Sequence, residues 1–133
     1  FALGLRRRWR RRRDVDEFLQ VARASFVRLQ AAWDAADLHA LAALTTDALM
    51  DELRDQLAER GPEPNRTEVV SLDARLLGMD ELQEAFVASV EFSGLIREHL
   101  DAGAAPFREL WLLTKLKPHG PEAWQLAQVQ ALA

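Results

Sequence analysis

The feature that most limits what this chain can fold into is a change of hydrophobic period near residue 65. Before it, apolar residues recur every three to four positions; after it, every two. Val15, Phe18, Leu19, Ala22, Phe26, Leu29 and Trp33 form one stripe of a helix expected from Asp14 to Asp34. Asp14, Asp16 and Glu17 stand in its first turn, where the helix dipole favours anions. Asp37 can cap a short second helix carrying Leu38, Leu41 and Leu44. Thr45 or Thr46 can cap a third, whose inner stripe is Leu49, Met50, Leu53 and Leu57 and whose end is Gly61-Pro62. Four strands are then expected. The first is read in TEVVSLDARLL, with Val70, Leu72, Ala74 and Leu76 alternating against Ser71, Asp73 and Arg75, and GMDE at 78–81 reads as a turn. The second has Phe86, Ala88, Val90, Phe92 and Ile96 on one face, with Gly94 marking a bulge or bend. DAGAAP at 101–106 is read as a loop, residues 107–115 as a third strand centred on Trp111, PHGP at 118–121 as a turn and residues 124–132 as a fourth strand. Short connections favour an antiparallel meander whose one apolar face the helices cover. The expected class is therefore α+β, with N-terminal helices packed in a curved four-stranded antiparallel sheet.

A chain of 133 residues, 49% hydrophobic, fits one such domain. Cysteine is absent, which excludes disulfides, thiolate metal sites and thiol chemistry; tyrosine is absent too. The net charge of −4 conceals a split. Residues 6–13 hold seven arginines, and the 120 residues after them hold ten basic groups against twenty-one acidic, a net of −11. Lys115 and Lys117 are the only lysines, and alanine and leucine abound, which fits a GC-rich bacterial source. No apolar run reaches the length of about 18 residues that a membrane-spanning helix needs.

The sequence offers no catalytic constellation. His39, His99 and His119 are scattered, no metal-ligand spacing, glycine-rich phosphate loop or nucleophile motif occurs, and Glu98-His99 reads as a solvated strand end. We therefore expect no metal, no cofactor and no catalytic residues. Glu109 is the one acid that strict alternation places beside Phe107, Trp111 and Leu113; it reads as an edge residue or as the partner of an arginine such as Arg97, and a proton-transfer role is the rarer alternative.

Two charged features remain. Arg6, Arg7, Arg8, Trp9, Arg10, Arg11, Arg12 and Arg13 form a cationic segment after the apolar stub FALGL. It could be a solvated tail, a nucleic-acid arm or a membrane flank. The acidic domain behind it would repel phosphate backbones, so nucleic acid is not expected. Each arginine near an anionic leaflet contributes on the order of 1 kcal/mol, and tryptophan favours the headgroup region, so anionic membrane lipids are the expected partner. An anchoring segment upstream of Phe1 is expected as well. The second feature is an acid row, Asp47, Asp51, Asp55 and Glu59, repeating every four residues on the third helix. It reads as a solvated face, or as a docking surface for a basic partner or for the arginine segment.

Strings spread through the chain resemble the Tim-forty-four-like domain family. They are Trp33, Asp34, Asp37 and Leu38 in WDAADL, Phe92, Ser93, Gly94, Ile96, Arg97 and Glu98 in FSGLIRE, and the strands at 65–78 and 107–115. The resemblance covers about residues 15–131, and residues 1–13 stand apart as a basic, membrane-proximal segment. It implies a cone of the nuclear-transport-factor-two-like type. It further implies a non-catalytic, membrane-associated binding or adaptor domain, like the lipid-binding domain of the mitochondrial import-motor tether. The expected place is the cytoplasmic face of a bacterial inner membrane, with anionic lipids and an inner-membrane protein or chaperone as partners. One alternative is a soluble carrier of a small apolar ligand or lipid, its cavity walled by Val70, Leu72, Phe86, Val90, Phe92, Trp111 and Leu126. Another is an enzyme of the ketosteroid-isomerase-like superfold.

Overall fold

A computed structural model describes residues 12–61, 66–98, 101–117 and 124–132. Three helices, α1 (Arg12–Asp34), α2 (Leu38–Leu44) and α3 (Asp47–Arg60), precede four strands, β1 (Glu68–Glu81), β2 (Ala85–Arg97), β3 (Ala105–Leu116) and β4 (Gln125–Ala131). The strands form one antiparallel sheet in the order β1-β2-β3-β4, the meander expected from the short connections. The turn expected at 118–121 lies outside the described residues.

The helix ends follow their capping chemistry. The Asp37 carboxylate accepts from the Ala40 amide at 3.1 Å, and the Thr46 hydroxyl accepts from the Leu49 amide at 3.4 Å. Gly61 ends α3 with φ at +87°. The end of α1 is less usual. Asp37 N–H donates to Ala32 O, closing a six-residue reversal in which Ala36 carries φ of +53°. Glycine is the ordinary residue at that place, because a Cβ is crowded in the left-handed region.

Asp34, the last residue of α1, holds the helix to the start of the sheet. Its carboxylate accepts from the Thr67 amide at 2.7 Å, from the Thr67 hydroxyl at 3.1 Å and from Gln30 Nε2 at 3.2 Å. Farther along, the α2–α3 junction grips β4. Thr46 N–H donates to Leu126 O at 2.9 Å, and the buried Thr45 hydroxyl donates to Leu41 O at 2.7 Å. The WDAADL string thus supplies an anchor at Asp34 and a cap at Asp37.

The core lies between α1 and the inner sheet face. Ala88, Val90 and Phe92 of β2 have no exposed surface. Phe26 of α1 packs on Phe92 and on Trp111, each at 4.9 Å between ring centres, and Phe92 meets Trp111 edge-on at the same distance. Phe18 packs edge-on to Trp124 at 5.0 Å. The α1 stripe is slightly rotated from the expected one: Ser25 and Ala32 are buried and Trp33 is half-exposed.

Two corrections concern β1. The residues expected to turn at 78–81 continue the strand, and the reversal falls at 82–84. Val70 faces outward and is 44% exposed, because one residue is inserted between Val69, opposite Ile96, and Ser71, opposite Leu95. A second insertion at Leu77 returns Met79 to the inner face. In addition β3 starts at Ala105, inside the stretch expected to be a loop.

Gly94 answers the first bulge. Its φ is +154°, and a Cβ placed there would lie 2.1 Å from Ser71 O. Gly94→Ala is therefore expected to destabilise the fold by at least about 2 kcal/mol, read as a lower urea midpoint. Ala36→Gly should do the opposite, raising stability by about 1 kcal/mol in the same measurement.

Candidate functional site

An open pocket of about 370 Å³ sits where the second half of α1, α2 and α3 face the β3–β4 edge. Helix residues supply Leu29, Gln30, Trp33, Leu41, Leu49, Glu52, Leu53 and Gln56; the sheet supplies Glu109, Trp111, Leu126 and Val129. The helical contribution follows from spacing. Leu49, Glu52, Leu53 and Gln56 fall at three- and four-residue steps and share one face of α3. On β3, regular alternation puts Phe107, Glu109, Trp111 and Leu113 on the inner side.

A third register shift shapes the sheet wall. Leu112 pairs with Gln128 and Leu113 with Leu126, so Ala127 is the inserted residue. The insertion allows both Leu126 and Val129 to line the pocket. Glu109 pairs with Ala131, whose methyl group occupies little of the space beside the carboxylate.

Glu109 is the chemical centre of this wall. Its Oε1 accepts from Trp111 Nε1 at 2.9 Å. Of the two readings offered for Glu109, an edge residue or the partner of an arginine such as Arg97, the pairing with Arg97 is not formed. Arg97 lies on β2 opposite Glu68 and makes its ion pair there at 3.3 Å. Among the described residues neither Glu109 nor Glu52 has an ion-pair partner, and no Lys, Arg or His lines the pocket. Arg60 contacts Trp33: Nη1 donates to Trp33 O at 2.6 Å, its guanidinium lies 5.3 Å from the Trp33 ring centre, and its Nε and Nη2 are buried with no hydrogen-bond partner among the described residues.

Of the seven residues expected to wall a cavity, Trp111 and Leu126 do so. Val90 and Phe92 are sealed in the core, Leu72 packs against it, and Phe86 lies under the Lys117 ammonium at 4.5 Å from its ring centre. Val70 points away, for the reason given by its bulge. The polar members Gln30, Glu52 and Gln56 escaped the sequence reading. The signal for two of them was present: Glu52 and Gln56 stand one helical turn apart on the face that carries Leu49 and Leu53.

The other expected sites fall elsewhere. Asp47, Asp51, Asp55 and Glu59 are all exposed on α3, and Asp51 pairs with Arg54 at 3.4 Å. In the basic segment, Arg12 and Arg13 open α1 and are exposed, with Arg12 at 4.0 Å from Asp16. Arg6, Arg7, Arg8, Trp9, Arg10 and Arg11 lie outside the described residues, as do His99 and His119. His39 is exposed on α2. Among the described residues no three His, Cys, Asp or Glu side chains are gathered as metal ligands, and no helix is long and apolar enough to cross a membrane.

The Trp111–Glu109 bond has a measurable consequence. Glu109→Gln keeps an acceptor for the buried indole N–H and should change stability by less than about 1 kcal/mol. Glu109→Leu leaves that donor unpaired and should cost about 1–3 kcal/mol in chemical denaturation.

The family model of the Tim44-like domain matches residues 3–131. No curated protein matches the chain. Among solved structures, the chain is similar to a ketosteroid isomerase-like protein from Erwinia carotovora atroseptica SCRI1043. That likeness has 14% identity and a TM-score of 0.47, over 86% of this chain and 96% of that one.

Proposed function

The chain belongs to the Tim44-like domain family, and on that premise we propose that it is a non-catalytic adaptor that binds anionic lipid at the membrane surface. The family is one of membrane-associated adaptor domains. The observation that carries the finer reading is the charge division of the chain. Seven arginines and Trp9 are concentrated in residues 6–13, the last two arginines opening α1, on a chain otherwise strongly acidic. Such a segment is drawn to an anionic leaflet, while the acidic domain behind it is repelled by the same field. The proposed location is the cytoplasmic face of a bacterial inner membrane. The exposed row Asp47, Asp51, Asp55 and Glu59 is the proposed contact for a basic region of an inner-membrane protein or chaperone.

The non-catalytic reading is supported by the state of Glu109. Its recorded partner is an indole N–H, which is not a group that relays a proton at neutral pH. A second reading, a carrier of a small amphiphile or lipid, is favoured by the open pocket between the helices and the β3–β4 edge.

Vesicle flotation tests the adaptor reading. The chain should float with phosphatidylglycerol vesicles and not with phosphatidylcholine vesicles. Raising salt from about 0.05 M to about 0.5 M should release it. Replacing three of the seven arginines by glutamine should weaken apparent affinity roughly a hundredfold, at on the order of 1 kcal/mol each. Flotation that persists after all seven are replaced would remove the segment as the lipid-binding element.

A further inference from the structure

We propose that the pocket between α1, α3 and the β3–β4 edge is a site for an organic cation with an apolar body, such as a long-chain alkylammonium. The proposal rests on the carrier reading and specifies its ligand. A volume of about 370 Å³ lies within the range of about 300–1,000 Å³ typical of small-molecule sites. Its walls divide by chemistry. Leu29, Leu49, Leu53 and Val129 present aliphatic surface, and Trp33 and Trp111 add indole surface. This part suits an alkyl chain.

The polar part carries one sign of charge. Glu109, half-buried on β3, and Glu52, exposed at the rim on α3, bring two carboxylates to the same space, with half-buried Gln30 and exposed Gln56 as neutral hydrogen-bonding groups. Among the described residues no cationic side chain lines the pocket, and neither carboxylate is in an ion pair. The Glu109 carboxylate is half-buried and oriented by the Trp111 N–H on Oε1, while no recorded hydrogen bond engages its Oε2. A held, unneutralised carboxylate on an apolar wall attracts a cation and repels an anion, and low local polarity strengthens both effects. A fatty acid or the head of an anionic phospholipid would bring a like charge against Glu52 and Glu109. An ammonium would instead donate hydrogen bonds to the free oxygen and to the glutamine carbonyls. The domain thus has two lipid-related chemistries of opposite preference, arginines for anionic surfaces and this pocket for cationic amphiphiles.

Three probes of equal chain length separate charge from apolar burial: decylammonium, decanol and decanoate, each below its micelle concentration. Binding is followed by calorimetry and by the emission of the tryptophans. Decylammonium should bind saturably and at least tenfold more tightly than decanoate, with decanol between them. Glu109→Gln and Glu52→Gln should each narrow the gap, and the double variant should abolish it. Glu59→Gln, on the exposed row, should leave the gap unchanged. Deleting residues 1–11 should leave it unchanged as well, which keeps this site distinct from the arginine segment. Decanoate binding as well as decylammonium would overturn the charge assignment and leave the carrier reading standing. Saturable binding of none of the three would overturn both. A gap that survives the double variant, with native-like circular dichroism, would place the cation elsewhere and overturn the proposal.

Discussion

The mutual contact of Phe26, Phe92 and Trp111 is the interaction on which the rest of the structure depends. Each pair of rings is separated by 4.9 Å, and the three come from α1, β2 and β3. An amphipathic helix and a sheet can associate at many angles if only apolar area is at stake, because burial is non-directional. Three rings meeting stacked, tilted and edge-on accept far fewer arrangements. Fixing Trp111 also fixes the edge of its indole, and the N–H on that edge holds Glu109. The packing node of the core and the charged wall of the pocket are thus successive inward residues of one strand. A change that loosens the node also displaces the carboxylate.

The sheet can meet α1 along its length because it is irregular at chosen places. Inserted residues at Val70 and Leu77 in β1 and at Ala127 in β4 each switch which residues point inward. Without the first two, a single alternation would carry Val70, Leu72, Ala74, Leu76 and Gly78 inward, and Met79 would be lost to solvent. With them, Val69, Leu72, Ala74, Leu76 and Met79 pack against the core. The bulge at Val70 is accommodated on the partner strand by Gly94, which leaves room for Ser71 O. The shift at Ala127 turns Val129 toward the pocket and leaves Ala131 beside Glu109.

Sequence reading succeeded where one residue's own chemistry decides the local structure. Asp37 and Thr46 cap helices because their side chains accept from amides three residues on. The switch from a period of 3.6 to a period of 2 is likewise a local property, and it placed all four strands. Bulges were legible only where glycine marks them. Gly94 signalled an irregularity, but the inserted residue lies on the neighbouring strand, and Val70 looks like any strand valine. Leu77 and Ala127 carry no mark at all, because the insertion is defined by pairing with another strand. For the site, Trp111 and Leu126 were found by alternation. Glu52 is exposed on α3, and its place at the pocket was not read, since nothing in a helical wheel tells how far the covering sheet extends. Alternation grouped Glu109 with Phe107, Trp111 and Leu113, and it was read either as an edge residue or as the partner of an arginine. The register puts Arg97 beside Glu68, far along the ladder, and leaves the adjacent inward residue, Trp111, as the donor.

Charge is organised at two scales in this fold. At the scale of the whole chain, a run of arginines precedes a domain of net −11, which sets up an orientation relative to any charged surface. At the scale of a few ångströms, the acidic excess is not spread evenly. Glu91 binds Arg75 and Arg108 across three strands, Glu68 binds Arg97, and Glu81 binds Lys117, so much of the basic charge of the sheet is neutralised locally. Arg60 contacts the pocket residue Trp33 through Nη1 and its guanidinium face, while its Nε and Nη2 are buried with no hydrogen-bond partner among the described residues. The sheet's cations being committed in this way, Glu52, exposed on α3, and Glu109, half-buried on β3, line a shared space without an ion-pair partner among the described residues. A carboxylate on open surface needs none, because water screens it. One held beside two indoles and several leucines is screened less, and its field extends into the volume that a ligand would occupy. At this pocket it is Glu109, rather than the exposed acids of α3, whose charge the apolar walls leave least screened.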